Sequence, residues 1–386
     1  MNALHIALVT ETYPPEINGV AMTLGRLVIG LRARGQRVSL TRPRQPQDRT
    51  HAAGDDEQLV TGIPIPGYAG LHFGVAGTRR LADAWHRLRP DIVHIATEGP
   101  LGWAALAAAR SQGIPVVASF HTNFHNYSRH YGLGWLQRPL NGYLRWFHNR
   151  AQLTLVPTRH LAGQLGADGY RNLGVMARGV DTVLFDPRRR DPALRRSWGI
   201  GEHDPVLLHV GRLAPEKNLP LLFRTFQAIR RVKPGCRLLV VGDGPELRRL
   251  QRAHPDVVFA GPRTGEDLAR HYASADMFLF PSLTETFGNV LLEAMASGLA
   301  SVAFDYAAAS AHLRHHENGL KAPYGDEAEF LRLAVALALD REALRRLGEA
   351  ACQTARGLAW EGVLDALLED YRRLLIGPRL ESGPAR

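Results

Sequence analysis

Short apolar runs of four to six residues alternate along the chain with amphipathic stretches. In the first half the runs are Leu4–Val9, Arg37–Leu40, Ile92–Ile95, Pro115–Ser119, Leu153–Val156 and Gly174–Ala177. Between most of them lie segments with apolar positions at helical spacing, such as Gly19–Arg34, Thr78–Arg89 and Leu101–Gln112. The second half repeats the rhythm with Val206–Val210, Arg237–Val241, Val257–Ala260, Met277–Phe280 and Ala300–Ala303. A continuous apolar run, as opposed to an alternating one, predicts a strand buried on both faces, which is how parallel strands under crossover helices read. The rhythm appears twice. The pattern therefore predicts an α/β protein of two Rossmann-like, doubly wound domains. From Asp326 to Leu375 it is helical with no strand.

The stretch from Asp186 to Asp204 interrupts the rhythm. It holds two Asp-Pro steps, three consecutive arginines and Gly-Ile-Gly, a polar, turn-rich composition that reads as a linker. The expected boundaries are an N-terminal domain over 1–188, a linker over 189–204 and a C-terminal domain over 205–360. A helix near 361–376 could pack back on the first domain. In such sheets ligands gather at the C-terminal ends of strands, so function is sought in the loops that follow them.

Composition adds three constraints. With 386 residues, 45% hydrophobic and 22% charged, the chain is an ordinary globular one. Its net charge of +10 is uneven: residues 1–200 carry 24 Arg against 13 Asp and Glu, a net of +11, and residues 201–386 carry a net of −1. That asymmetry turns the first half toward an anionic partner. Two cysteines, Cys236 and Cys352, form no disulfide framework and no zinc spacing, which fits a reducing compartment. The first apolar run has no charged region before it and is too short for a leader, and no 18 consecutive apolar residues occur. The expected location is cytoplasmic, peripheral on the inner face of the cytoplasmic membrane.

Two loops carry the chemistry. After Val206–Val210 comes Gly211-Arg212-Leu213-Ala214-Pro215-Glu216-Lys217-Asn218. A glycine after a strand lets backbone approach a ligand, and Arg212 and Lys217 flank the start of a helix near Asn218. Paired cations at a helix N-terminus suit a diphosphate. The chain uses 44 Arg and only 3 Lys, so a lysine at 217 suggests a position that wants a compact ammonium. After Met277–Phe280 comes a loop with Glu285, then a helix from about Gly288 to Gly298 carrying Glu293. Free N–H groups at Gly288, Asn289 and Val290 suit a phosphate or a sugar hydroxyl. Acceptor-only carboxylates suit vicinal diols, one on a hexose and one on a ribose.

The pair Glu285 and Glu293, the Gly211-Arg212 to Lys217 loop and the Gly242-Asp243-Gly244-Pro245 turn resemble those of family 4 retaining glycosyltransferases of the GT-B fold, over roughly residues 4 to 375. Glu11-Thr12-Tyr13-Pro14-Pro15 with Asn18-Gly19-Val20, Phe120-His121-Thr122, Leu153 to Thr158 and Arg178-Gly179-Val180-Asp181 are similar to the branch of sulfoquinovosyl-diacylglycerol synthases and lipid mannosyltransferases. The resemblance implies two domains facing across a cleft. It also implies transfer of a hexose, with retention, from UDP-hexose or GDP-mannose to a lipid-linked or glycerolipid acceptor. In it, Arg212 and Lys217 hold the diphosphate and Glu285 binds the hexose. Phe287, Gly288 and Asn289 offer backbone contacts, and Glu293 binds the ribose. His121 lies over the donor sugar, and Gly19 lets backbone approach the diphosphate. Asn18 stands where many relatives have a second glycine; like glycine, it tolerates a positive φ.

No metal or other cofactor is expected, because the chain has no Asp-x-Asp and Arg212 and Lys217 take the place of an ion. Aromatic and basic residues interleave from Phe124 to Arg150, among them Tyr127, Arg129, Tyr131, Trp135, Arg138, Tyr143, Arg145 and Trp146. This segment is expected to meet the acceptor and an anionic membrane surface. Nearby, His125, His130 and His148 read as surface or acceptor-side residues. A soluble or polysaccharide acceptor, a GT-B epimerase and a non-catalytic sugar-nucleotide sensor are the competing readings. A dehydrogenase lacks its Gly-x-Gly-x-x-Gly, and no nucleic-acid partner is expected.

Overall fold

The computed structural model describes residues 3–16, 18–45, 48, 56–64, 72–120, 137–200, 204–285 and 287–376. The chain forms two compact units: residues 1–178 with 360–386, and residues 179–359.

Unit 1 is built on eight strands: β1 (His5–Val9), β2 (Arg37–Pro43), β3 (Glu57–Pro64), β4 (His72–Val75), β5 (Ile92–Ile95), β6 (Val116–Ser119), β7 (Leu153–Val156) and β8 (Leu173–Val175). Their order is β4-β3-β2-β1-β5-β6-β7-β8, parallel except where β4 runs back along β3. Helices α1 (Gly19–Ala33), α2 (Thr78–Leu88), α3 (Pro100–Ser111), α4 (Gln137–His148) and α5 (Arg159–Ala167) belong to this unit. Every residue of β1, β5 and β6 is buried, which is why their sequences are apolar except for His5, His94 and Ser119. The pattern misses β3 and β4. They lie at the sheet edge, and β3 is interrupted by Gly62 and ends on Pro64, so burial on one side leaves no apolar run to read.

Unit 2 has six parallel strands: β9 (Val206–Val210), β10 (Arg237–Val241), β11 (Val258–Gly261), β12 (Met277–Phe280), β13 (Ala300–Phe304) and β14 (Leu320–Ala322). The order β11-β10-β9-β12-β13-β14 reverses direction between β9 and β12. Helices α6 (Pro192–Ser197), α7 (Leu219–Val232), α8 (Leu247–Ala253), α9 (Gly265–Ala273), α10 (Asn289–Ala296), α11 (Ala307–His312), α12 (Glu327–Leu339) and α13 (Arg341–Arg356) complete it. Successive strand residues feed opposite cores: Leu207 and Leu238 join Phe226 and Phe330, while Leu208 and Leu239 join Phe278 and Leu291.

The chain passes between units at 178–179, so the stretch expected as a linker over 189–204 belongs to unit 2. Its polarity is that of an ion-pair network. Arg195, 5% exposed, donates to the Asp276 carboxylate at 3.0 Å and to the carbonyls of Ser274 and Asp204, and Arg190 pairs with Asp276 at 2.7 Å. Asp191 accepts from Ala193 N at 2.8 Å and caps α6.

The last helix, α14 (Trp360–Ile376), belongs to unit 1. It packs on α1, where Leu364 occupies the space a side chain at Gly30 would need, and Arg34 reaches Asp365 at 2.7 Å. Its Tyr371 is fully buried. The hydroxyl meets His94 Nδ1 on β5 at 2.5 Å, and His94 Nε2 meets Ser119 Oγ on β6 at 2.7 Å. Burial holds the His94 imidazole down to about 3, so it is neutral.

Candidate functional site

In unit 2 the loops after β9, β10 and β12 meet at the point where strand order reverses. The first two stack with backbone on backbone. Gly211 N donates to Val241 O at 3.0 Å and Leu213 N to Asp243 O at 2.8 Å. A Cβ on Gly242 would sit 1.9 Å from the Gly211 carbonyl oxygen, and one on Gly244 would sit 2.3 Å from that of Leu213. Close approach, not a ligand, is what requires glycine at 242 and 244.

Beyond Gly211, a short helical turn over Pro215–Lys217 ends at Asn218, which takes φ of 51° and opens α7. This turn places Lys217 Nζ 2.5 Å from Glu285 Oε1, across 68 residues of sequence, with both side chains largely buried. The sequence assigns these two to different parts of a ligand; the fold sets them against each other. Arg212 is more open, 44% exposed, with Glu216 3.8 Å away. The Glu285 loop is fastened from several sides. Tyr306 Oη donates to the Glu285 carbonyl at 3.2 Å, Tyr324 Oη to that of Leu283 at 2.7 Å, and Thr284 Oγ1 to that of Glu216 at 3.5 Å. Tyr306 opens the Tyr306-Ala307-Ala308-Ala309 segment and Tyr324 follows β14. No motif marks either, and only the fold brings them to the loop.

Gly288 sits at φ of 97°, over the Phe280 ring, and opens α10 with no side chain capping its first turn. Among the described residues no side chain caps the amides near Asn289, which stand at a positive helix end. Phe287 is buried, and its carbonyl accepts from Ala308 N at 2.9 Å. Glu293 stands one turn along α10, where Tyr272 Oη donates to its Oε2 at 2.9 Å. Burial beside Glu293 pushes the Tyr272 phenol well above its ordinary range, so it stays a donor. The structure therefore brings Gly211, Arg212, Lys217, Glu285, Phe287, Gly288, Asn289 and Glu293 to one end of one sheet.

One residue of this site escapes sequence reasoning. His209, fully buried on β9, has Nδ1 3.1 Å from the Leu279 carbonyl, while Nε2 meets no hydrogen-bond partner among the described residues. Burial, aided by Lys217, lowers it to about 4. A lone His inside an apolar run carries no signal of its own.

In unit 1, Gly19 is the exposed first residue of α1. Asn18 does not take the positive φ that sequence comparison allows it. It is extended, φ −146°, and its Oδ1 accepts from Val20 N and Ala21 N at 3.1 and 2.8 Å, so the helix end is capped from within. His121, Tyr127, Arg129, Tyr131 and Trp135 lie outside the described residues, as do His125 and His130. Arg138 and Arg145 are exposed on α4, and Arg150 stacks 4.2 Å over the half-exposed Trp146. His148 is not a surface residue. It is wholly buried, 3.1 Å from Glu98 and 3.3 Å from Thr154 Oγ1, because the end of α4 packs into the sheet. Among the described residues no helix is long and apolar enough to cross a membrane, and no three His, Cys, Asp or Glu side chains gather as a metal site.

The chain matches the profile of Glycosyltransferase Family 4 over residues 17–184 and that of Glycosyl transferases group 1 over 204–340. It is 35% identical to a GDP-mannose-dependent alpha-mannosyltransferase of Mycobacterium tuberculosis, over 96% of this chain and 97% of that protein. It is 26% identical to an alpha-monoglucosyldiacylglycerol synthase of Streptococcus pneumoniae, over 78% of this chain and 71% of that one. In structure it is similar to the sucrose-phosphate synthase of Thermosynechococcus elongatus, with TM-score 0.77 at 18% identity, over 96% and 99% of the two chains. The chain belongs to the family 4 glycosyltransferases, enzymes of the GT-B fold, in the branch that includes lipid glycosyltransferases.

Proposed function

We propose that this family 4 glycosyltransferase moves mannose from GDP-mannose to a lipid-linked or glycerolipid acceptor, with retention of configuration. The observation that carries the reading is the Lys217–Glu285 pair beside the uncapped start of α10. The near full-length likeness to GDP-mannose-dependent alpha-mannosyltransferases favours GDP-mannose over a UDP-hexose. The likeness to diacylglycerol glucosyl enzymes favours a lipid acceptor.

Donor binding exchanges the ion pair for the ligand. Lys217 turns to the diphosphate with Arg212, and the freed Glu285 carboxylate accepts from hexose hydroxyls. The amides of Phe287, Gly288 and Asn289 face phosphate or sugar, Gly211 lets backbone approach, and Glu293 accepts from the ribose. For His121, which lies outside the described residues, we propose the role at the donor sugar that the family resemblance implies. The anomeric carbon–phosphate oxygen bond breaks as the acceptor oxygen bonds the same carbon from the same face. The acceptor proton passes to the departing phosphate oxygen. Lysine, arginine and helix amides carry the leaving charge, so no metal is required, and positioning provides most of the rate. Glu285, already committed to the sugar, is not the nucleophile.

The acceptor is assigned to unit 1, at the inner face of the cytoplasmic membrane. Counted on the folded boundaries, unit 1 carries 23 Arg against 15 Asp and Glu, and unit 2 carries 24 Arg and Lys against 22. Exposed Arg138, Arg145, Trp146 and Arg150 on and after α4 form a basic and aromatic surface for an anionic bilayer, and Tyr127, Arg129, Tyr131 and Trp135, outside the described residues, precede them in the sequence. The test is a transfer assay across GDP- and UDP-sugars with bacterial lipid extract, with and without EDTA. Label should move from GDP-mannose into chloroform-soluble product in chelator. Transfer from a UDP-sugar alone, or only after magnesium or manganese is restored, would overturn the donor or the metal-free part of the reading.

A further inference from the structure

His209 lies directly beneath Gly211. A Cβ on Gly211 would meet no clash: apart from Gly211's own chain neighbours, the heavy atom of the described residues within 4 Å of it is His209 Nε2, at 3.7 Å. That nitrogen is buried, unpartnered and thus costly where it stands. The Leu279 carbonyl beside Nδ1 can only accept, so the proton of the neutral ring is on Nδ1 and a lone pair is on Nε2. A ligand atom settling against the Cβ side of Gly211 comes against that lone pair. A phosphate oxygen cannot share the space with it unless the ring is protonated, and then Nε2–H is a donor aimed at the oxygen.

The groups that bear on this ring are few. Lys217 and Glu285 are the charged ones. On the flanking strands Val240 pairs with His209 on β10 and Leu279 accepts from it on β12, neither of them titratable. Without ligand, burial and Lys217 keep the ring neutral, lowered to about 4. A diphosphate adds negative charge within a few ångströms and draws Lys217 onto itself, and an opposite charge at such range raises an imidazole by roughly 1–3 pH units.

We propose that His209 takes up a proton when the donor's diphosphate settles against Gly211, and that the resulting imidazolium positions the diphosphate from below. The inference rests on the reading that this loop holds the diphosphate. It makes donor binding proton-linked, through a residue on which the family resemblance bestows no role.

The experiment is calorimetric titration of the full-length protein with GDP-mannose from pH 5 to 7.5, in buffers of contrasting ionisation enthalpy. The diphosphate of this probe has no group titrating in that range. A fraction of a proton should be absorbed per ligand bound within this window, and Kd should rise with pH by up to about tenfold per unit. His209→Gln should bind with a flat pH profile and no uptake, and Gly211→Ala, which fills the space, should weaken binding and abolish uptake. Binding heats independent of buffer at every pH overturn the inference and leave the donor assignment standing, and so does uptake that persists in His209→Gln. Absence of binding by GDP-mannose and UDP-glucose alike overturns both.

Discussion

Each unit buries a histidine on a strand flanking its reversal of strand order, and the two histidines are finished differently. In unit 1, His94 is closed on both sides, by Tyr371 of the returning α14 and by Ser119. In unit 2, His209 is closed on one side by Leu279, while on the other its Nε2 lies near Gly211 with no hydrogen-bond partner among the described residues. Both are fully buried and both are held neutral by burial. A buried histidine beside the reversal thus serves architecture in one unit and lies on the ligand side in the other. The count of satisfied nitrogens distinguishes them; burial and titration do not.

The sharpest break in the comparison is expected from Lys217. Lys217→Ala should lower kcat/KM in the transfer assay by about 10²-fold or more, because it removes a cation from the leaving group, while circular dichroism stays that of the native fold. Near-normal turnover would detach unit 2 from the diphosphate. Tyr371→Phe probes the other unit. It leaves His94 Nδ1 buried and unpaired, so denaturant unfolding should lose about 1–3 kcal/mol, with donor KM unchanged. A donor KM that moves with it would end the division of labour drawn here.

Acid sharpens the contrast. A histidine in the unfolded chain titrates near 6.5, and in the folded chain His94 and His209 titrate at about 3 and about 4. As pH falls below 6.5 the unfolded state takes up protons that the folded state refuses. Stability therefore drops toward acid, by up to about 1.4 kcal/mol per pH unit for each ring, until the folded pKa is reached. Saturating GDP-mannose should relieve the His209 share alone, which pH-dependent melting with and without donor reads out. The smallest effect concerns α4. Arg138→Glu with Arg145→Glu should weaken binding to anionic vesicles by about 1 kcal/mol or more per residue at low salt, less as salt rises, and leave donor binding untouched. Unchanged sedimentation with such vesicles would remove α4 from the membrane surface.

How much of this was legible in the sequence follows from where each residue gets its partners. Inner strands such as β1, β5 and β12 announce themselves, since burial on both faces makes them mostly apolar. The loops after β9 and β12 were legible because glycine, cations and carboxylates follow strands at fixed offsets. What was not legible depends on distant pairing. Lys217 and Glu285 are each readable, but their mutual bond exists only because β9 and β12 are neighbours. The Tyr306 and Tyr324 contacts to the Glu285 loop, the His148–Glu98 pair and the His94–Tyr371 pair, 277 residues apart, are likewise products of topology. The polar run at 186–204 misled because an ion-pair network around Asp276 and a solvated linker have the same composition.

The most direct test compares GDP-mannose binding by the wild type, Lys217→Ala and Tyr371→Phe in one calorimetric series. The account predicts that Tyr371→Phe binds like the wild type and that Lys217→Ala loses most of its affinity. Equal binding by all three proteins would contradict the assignment of the diphosphate to the Gly211–Lys217 loop of unit 2.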